Sequence, residues 1–341
     1  MAIELSARER ILRRLTLLPS PVADAFSNVL FGRVLTIALR RGMFEALTGG
    51  PLSSRDLATL TALSPDAVRL MAEALVVGGY LRRKREAYAL TREGKKWLTS
   101  QSSSYLGNLI AYFETLYARW DSLERAFDLG APRQPYYVSF NDQDWKLYVL
   151  GMRDLARLLI PRVLPRLELQ EHPRLVLDVG GAHGLYSIEC CRKYPGLKAV
   201  VMDYAPALRY TAELVKEVGM EDRIVLLEGD FLKTPFLRGT DAVLMFNIIH
   251  GLKEDENRAL IARAMDALKP GGKLFILDQM SLTKGSSQLA RFITATVGIN
   301  LLNEIGGTVY NPDQVIGWCH GSQSRHIKLG LPGISLVVAT R

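Results

Sequence analysis

At 341 residues, 48% apolar and 23% charged, the chain has material for two hydrophobic cores and lacks the low-complexity composition of a disordered protein. Its three cysteines, two of them adjacent (Cys190, Cys191), give neither a metal-ligand spacing nor a framework of bridges, and a reducing cytoplasm is the simplest compartment. The formal net charge of +8 raises the question of a polyanionic partner, yet five of those charges come from the single segment 82–96, with seven basic and two acidic residues.

The N-terminus interleaves Glu4, Arg8, Glu9, Arg10, Arg13 and Arg14 with Ile and Leu, which predicts an amphipathic helix without the apolar core of a signal peptide. Helical spacing continues to about residue 48 through Ile11, Leu12, Leu15, Leu18, Phe26, Val29, Leu30, Val34, Ile37 and Leu39, and Gly49-Gly50-Pro51 breaks it. Ser53 or Ser54 caps a helix over 55–60, Ser64-Pro65 opens a longer one over 66–77, and Gly78-Gly79 ends that. Tyr80-Leu81 and Tyr88-Ala89-Leu90 then form a hairpin around the basic run, completing the order of a winged helix. The second helix, which reads DNA in such domains, carries Asp66, Arg69 and Glu73 and little net positive charge. The basic run is therefore read as a solvated hairpin tip, and no specific nucleic-acid contact is expected. Leu30, Phe31, Val34, Leu35 and Ile37 are more apolar surface than a small helical domain hides alone, which predicts a homodimer. Uncharged apolar runs such as 242–252 fall short of the roughly 18 apolar residues that a membrane span needs, so no span is expected.

Residues 100 to about 165 read as helices rich in aromatics, with Tyr105, Tyr112, Phe113, Tyr117 and Trp120 before a break at Leu129-Gly130-Ala131-Pro132. Tyr112, Phe113 and Trp120 at helical spacing are read as core. A further helix runs from Asn141 or Asp142 to near Leu159.

From about residue 172 the pattern changes to short apolar runs that each end on glycine or a polar residue. Leu175-Val176-Leu177-Asp178-Val179 leads into Gly180-Gly181-Ala182-His183-Gly184, and the run 199–202 ends on Asp203, nineteen residues after the last glycine. The run 224–227 ends on Glu228-Gly229-Asp230-Phe231, and 242–246 ends on Asn247, with His250 just beyond. Open parallel sheets bind ligands at the carboxyl ends of their strands, where these clusters fall. The glycines are spaced G-G-x-x-G, which is not the dinucleotide fingerprint, and no phosphate loop of the G-x-x-x-x-G-K-[ST] type occurs. Asp178 would repel a phosphate and suit an amino group. S-adenosylmethionine fits this pattern, with its ribose on Asp203, its adenine by Asp230 and Phe231, and its amino-acid tail near Asp178 and Gly180. A fifth strand over 273–277 ends on Asp278, a long helix covers 286–302, and 325–329 and 334–339 form the last two strands.

On these residues the chain resembles the small-molecule O-methyltransferases related to plant caffeate and isoflavone methyltransferases, which have many bacterial members. Leu177-Asp178-Val179-Gly180-Gly181-x-x-Gly184 matches the family's first motif, with Ala182 where glycine is usual. Gly229-Asp230-Phe231 matches its second, Asn247-Ile248-Ile249-His250 with Glu254-Asp255-Glu256 the segment of its catalytic histidine, and Lys269-Pro270-Gly271-Gly272-Lys273 the turn before strand five. The resemblance implies an α/β fold, a Rossmann-like seven-stranded class I methyltransferase sheet with one antiparallel strand, over 172–341. It implies a winged-helix dimerisation domain over 1–100 and a helical linker and pocket region over 101–171. Trp145, Tyr148 and Met152 fall where the family's connecting helix crosses the cofactor mouth, and His250 matches its general base.

Methyl transfer from a sulfonium is mostly a matter of positioning two reactants in a dry site, and a hydroxyl acceptor adds the loss of a proton. A neutral imidazole suits that step, and Asp278 matches the family glutamate that holds it. Being one methylene shorter, Asp278 is expected to make an altered or water-bridged contact. No carboxylate stands in Gly306-Gly307-Thr308-Val309-Tyr310, where the family has a second supporting glutamate, and Leu252 replaces its tryptophan. Three readings follow: an O-methyltransferase acting on an aromatic or polyketide-like metabolite, a same-fold enzyme methylating carbon or nitrogen or running another reaction, and a winged-helix regulator that keeps the cofactor fold without turnover.

Overall fold

The computed structural model describes residues 6–15, 17, 20–281, 286–320 and 322–341, with backbone alone for 11–14. Leu18, and the side chains of Ile11 and Leu12 in the expected N-terminal stripe, lie outside the described residues. The chain divides into two compact units, Met1–Thr115 and Leu116–Arg341.

In the first unit, Ser53 and Ser64 cap the helices Ser54–Thr61 and Pro65–Val77 by accepting hydrogen bonds from the Asp56 and Ala67 amides at 3.2 Å. The strands β1 (Leu52–Ser53), β2 (Leu81–Lys84) and β3 (Ala87–Leu90) pair in the order β1-β3-β2, which gives the helix, helix, hairpin order expected. Phe44, Leu57, Val68, Leu75 and Leu81 form its core. The helical stretch Ser20–Arg40 turns only part of its apolar surface inward: Phe31, Val34 and Leu35 pack on that core, whereas Phe26 is 66% and Leu30 51% exposed. Four of the five residues expected to form a dimer face are thus wholly or partly covered, and the exposed set is Val22, Phe26, Val29 and Leu30. Among the described residues this is also the one helix long and apolar enough to cross a membrane, with a mean hydropathy of 1.5. A search for uncharged runs overlooks it because Asp24 and Arg33 interrupt the stretch. Of the aromatics read as core, Tyr112 is buried, but Phe113 and Trp120 are exposed.

The second unit is built on a seven-stranded sheet. Its strands are β4 (Leu175–Val179), β5 (Lys198–Asp203), β6 (Ile224–Glu228), β7 (Thr240–Phe246), β8 (Leu268–Gln279), β9 (Gln323–Leu331) and β10 (Ile334–Thr340). They lie in the order β6-β5-β4-β7-β8-β10-β9, with β10 antiparallel to both neighbours. The central strands are mostly apolar because both faces are covered. On one face Val176, Val201, Leu244 and Phe275 pack with Ile188 and Leu208, and on the other Leu177, Val243 and Ile276 pack with Leu260 and Ile261. The segment expected as a turn before strand five belongs to β8 itself: the register with β7 shifts between Thr240 and Ala242, and Gly271 takes φ 75° there.

Candidate active site

A cleft of about 1030 Å³, part of it open to solvent, lies at the carboxyl ends of β4, β5 and β7. Gly180, Asp203, Phe231, Asn247 and His250 line it, and the helix Asp142–Val163 contributes Trp145, Tyr148 and Met152. Trp145 serves two purposes, since it is also packed into a core with Val149, Tyr210 and Leu214.

The loop after β4 is held in an unusual backbone conformation. Gly180 has φ 63°, where a side chain is strained, and a Cβ there would stand 2.3 Å from Ile248 Cδ1, which would have to move, so glycine is favoured. Ala182, where the resembled family has glycine, is held at φ 34°. Its amide donates to Asp203 Oδ2 at 2.9 Å, and its carbonyl accepts from the Thr211 hydroxyl. Asp203 also accepts from the Tyr204 amide at 2.7 Å, which leaves lone pairs on both oxygens. Burial raises its pKa to about 6 against these two amides. A loop that disfavours a side chain at Gly180, beside a carboxylate with spare acceptor capacity, fits the ribose and tail of S-adenosylmethionine.

Four expected residues lie off the wall of the cleft. Asp178, assigned to an amino group, is buried beneath the loop, where Ser187 Oγ donates to its Oδ2 at 2.7 Å. Strand alternation turns this side chain toward the helix Leu185–Lys193, away from the cleft. Burial there pushes its pKa to about 7. Gly184 starts that helix, Gly229 is packed on Thr234, and Asp230 accepts from the Leu232 amide at 2.9 Å and pairs with Lys233 at 3.2 Å.

His250 follows β7 in a short 3-10 turn, Ile249–Gly251, and its side chain is 18% exposed. Its Nδ1 stands 2.6 Å from Oδ1 of the fully buried Asp278, at the end of β8. Of the altered or water-bridged contact expected, the structure shows a direct one: the shorter arm reaches the ring, and the turn also brings the His250 amide to 3.4 Å from Asp278 Oδ2. A buried carboxylate on Nδ1 fixes the proton there and leaves Nε2 as a lone-pair nitrogen for the cleft. His183, on the same cleft, is set the other way. Its Nδ1 accepts from the Leu185 amide at 3.0 Å, so its proton sits on Nε2, and burial lowers its pKa to about 3. Of the two histidines lining the cleft, only His250 has a ring nitrogen free to act as a base.

The sequence reading missed His183, Tyr136, Tyr137, Tyr204 and Ile305, which also line the cleft. Tyr137 and Tyr204 stand 5.6 Å apart, and Tyr136 and Tyr148 6.0 Å, making the cleft strongly aromatic. A tyrosine directly after the carboxylate that ends β5 was the one available signal.

The family model of the O-methyltransferase domain matches residues 122–314, and the chain belongs to that family. It is an S-adenosylmethionine-dependent methyltransferase of that family. Among curated proteins it is similar to a 3-hydroxy-5-methyl-1-naphthoate 3-O-methyltransferase of Streptomyces sahachiroi, with 25% identity over 94% of each chain. It is also similar to an N,N-dimethyltransferase of Streptomyces rimosus, with 25% identity over 77% of this chain and 80% of the other. Human N-acetylserotonin methyltransferase in complex with S-adenosylmethionine shares the fold, with a TM-score of 0.81 at 21% identity over 100% of this chain and 99% of that one.

Proposed function

We propose that this enzyme methylates a hydroxyl of a small aromatic or polyketide-like metabolite, with His250 as general base. The observation that carries the reading is the direct Asp278–His250 contact, which leaves Nε2 facing a cleft also lined by Gly180, Asp203 and Phe231. S-adenosylmethionine supplies a methyl group on a sulfonium, so the protein's work is positioning and proton removal. Asp203 holds the ribose, Phe231 the adenine, and Gly180 and Asn247 the remaining edge, while Asp178, Gly184, Gly229 and Asp230 shape the loops behind them. Trp145, Tyr148 and Met152 wall the acceptor. As the hydroxyl reacts, its proton passes to Nε2, and Asp278 stabilises the imidazolium that forms. The naphthoate relative supports an aromatic acceptor.

Transfer to nitrogen or carbon is a second reading, favoured by the N,N-dimethyltransferase relative and by the side chains around His250. Among the described residues Asp278 is the one carboxylate bonded to the imidazole, and Val309 stands in the segment where the family's second glutamate falls. Isotope-labelled cofactor offered to a panel of phenols and of the matching amines decides between them. Labelled ether products support the hydroxyl reading, and label confined to amines or ring carbons removes it.

The first unit is proposed to form a homodimer through Val22, Phe26, Val29 and Leu30, because so much exposed apolar surface on one helix marks an interface.

A further inference from the structure

Next to the cleft that holds His250 lies a second one, lined by Arg119, Ser122, Arg125, Arg133, Tyr136 and Glu304 among others. The two share Pro135 and Tyr136, and consecutive residues at the end of the helix Gln288–Ile305 face them: Glu304 the second cleft and Ile305 the first. The second cleft is about 670 Å³, part of it open to solvent.

The side of its wall around Arg119 is held by several contacts. Glu304 is 3% exposed and accepts from Arg119 Nη1 at 2.6 Å. The Arg119 guanidinium also lies over the rings of Phe140 and Tyr136, 4.9 and 5.5 Å from their centroids. Its carbonyl accepts from Ser122 Oγ at 2.7 Å and Asn303 Nδ2 at 3.1 Å. With Arg119 matched to Glu304, Arg125 and Arg133 are exposed and form no salt bridge among the described residues. The cleft therefore holds three arginines against one carboxylate, an excess of two positive charges beside an aromatic wall.

We propose that the acceptor is an aromatic acid, with its carboxylate held by Arg125 and Arg133 while its ring lies along Tyr136 and its hydroxyl reaches His250. The proposal rests on the hydroxyl-methylation reading above. A planar guanidinium matches a carboxylate with two parallel hydrogen bonds, and Arg119 is already occupied by one such group. With Arg119 and Glu304 neutralising each other, Arg125 and Arg133 are the cations left to hold the carboxylate between them. The contact places the charge at one end of the acceptor and so selects which hydroxyl meets the base.

The test compares hydroxylated one- and two-ring arenes, each offered as the free acid and as its methyl ester, to the full-length protein with S-adenosylmethionine. The acids are expected to show a KM about tenfold below that of their esters at low salt. Raising the salt from about 0.05 to about 0.5 M should increase the KM of the acids and leave that of the esters in place. Arg125→Gln combined with Arg133→Gln should bring the acid's KM to the ester's with little change in kcat. Equal KM values for acid and ester in the wild-type protein, with no salt dependence, overturn the proposal and leave hydroxyl methylation standing. Methylation of neither series, while S-adenosylhomocysteine still binds, removes the hydroxyl reading and this proposal with it.

Discussion

His250 and Asp278 lie 28 residues apart in the chain, and Nδ1 of one stands 2.6 Å from Oδ1 of the other. The sheet makes this pair, because β7 and β8 are adjacent and parallel and so deliver their ends to the same edge. Asp278 Oδ1 also accepts from the Gln279 amide at 2.7 Å, so the carboxylate cannot turn away from the ring.

His250→Ala is therefore expected to lower kcat by the 10²–10⁴-fold range typical of a lost general base, with affinity for S-adenosylhomocysteine nearly unchanged. Part of the loss should return at high pH for a phenolic acceptor, because hydroxide then supplies the phenolate. Asp278→Asn should cost less, since it disturbs the tautomer without removing the base. Rate measurements across pH check all three, and near-normal turnover of His250→Ala at neutral pH would show that proximity alone suffices.

The strands were legible because a parallel strand buried on both faces reads as a mostly apolar run, as at Leu175–Val179, broken only by Asp178, and at 242–246. His250 and Asp203 were legible because such strands deliver their last residues to one edge. The direction of a side chain at that edge was not. Asp178 is two residues before Gly180, yet the pleat turns it into the core, and no spacing in the sequence reports which face is which. Tyr136 and Tyr137 escaped notice because they lie in a short 3-10 turn with no periodicity to mark their facing. The arginines of the second cleft all lie between residues 119 and 133, but on two separate helices and a loop, and their facing one cleft follows only from packing.

Asp203→Ala should weaken S-adenosylhomocysteine binding by about 1.5–3 kcal/mol, the range for hydrogen bonds to a charged group. Burial raises the pKa of Asp203 to about 6, so in the wild-type protein affinity should decline as pH falls through 6, by at most about tenfold per unit. The alanine variant should lack that decline. Titration calorimetry at several pH values measures both effects, and an unchanged affinity in the variant would move the ribose elsewhere.

Light scattering at micromolar concentration should give twice the 38.0 kDa chain mass. Phe26→Asp with Leu30→Asp places two charges on the exposed face of the helix and should yield monomer, since each large apolar side chain buried contributes about 1.5–3 kcal/mol. A wild-type monomer would refute the proposed interface.

The wing should not confer specific DNA binding. Arg83 is tied to Glu73 at 3.2 Å, and Glu73 also accepts from the Tyr88 hydroxyl at 2.8 Å, so acidic charge lies against the hairpin. The remaining cations support weak association that should vanish by about 0.2 M salt. A sequence-specific mobility shift that survives that salt would reverse the assignment.

Asp178 makes the stability of the protein depend on pH in an unusual direction. A carboxylate that gains partners on folding has its pKa lowered, and it stabilises the fold as pH rises. Asp178 is buried with one hydroxyl donor, from Ser187, and its folded-state pKa is raised from 3.8 to about 7. Between those values the folded protein keeps a proton that the unfolded chain releases. The contribution of this group to stability is therefore present below about pH 4 and is lost as pH rises through 7, with a slope of up to about 1.4 kcal/mol per unit. Asp178→Asn keeps the shape and an oxygen to accept from Ser187, but has no charge to bury. The variant should unfold at a higher urea concentration than the wild type at pH 8 and at nearly the same concentration at pH 4. Urea midpoints for both proteins across that range measure the difference, and parallel curves would show that folding does not raise the pKa of Asp178.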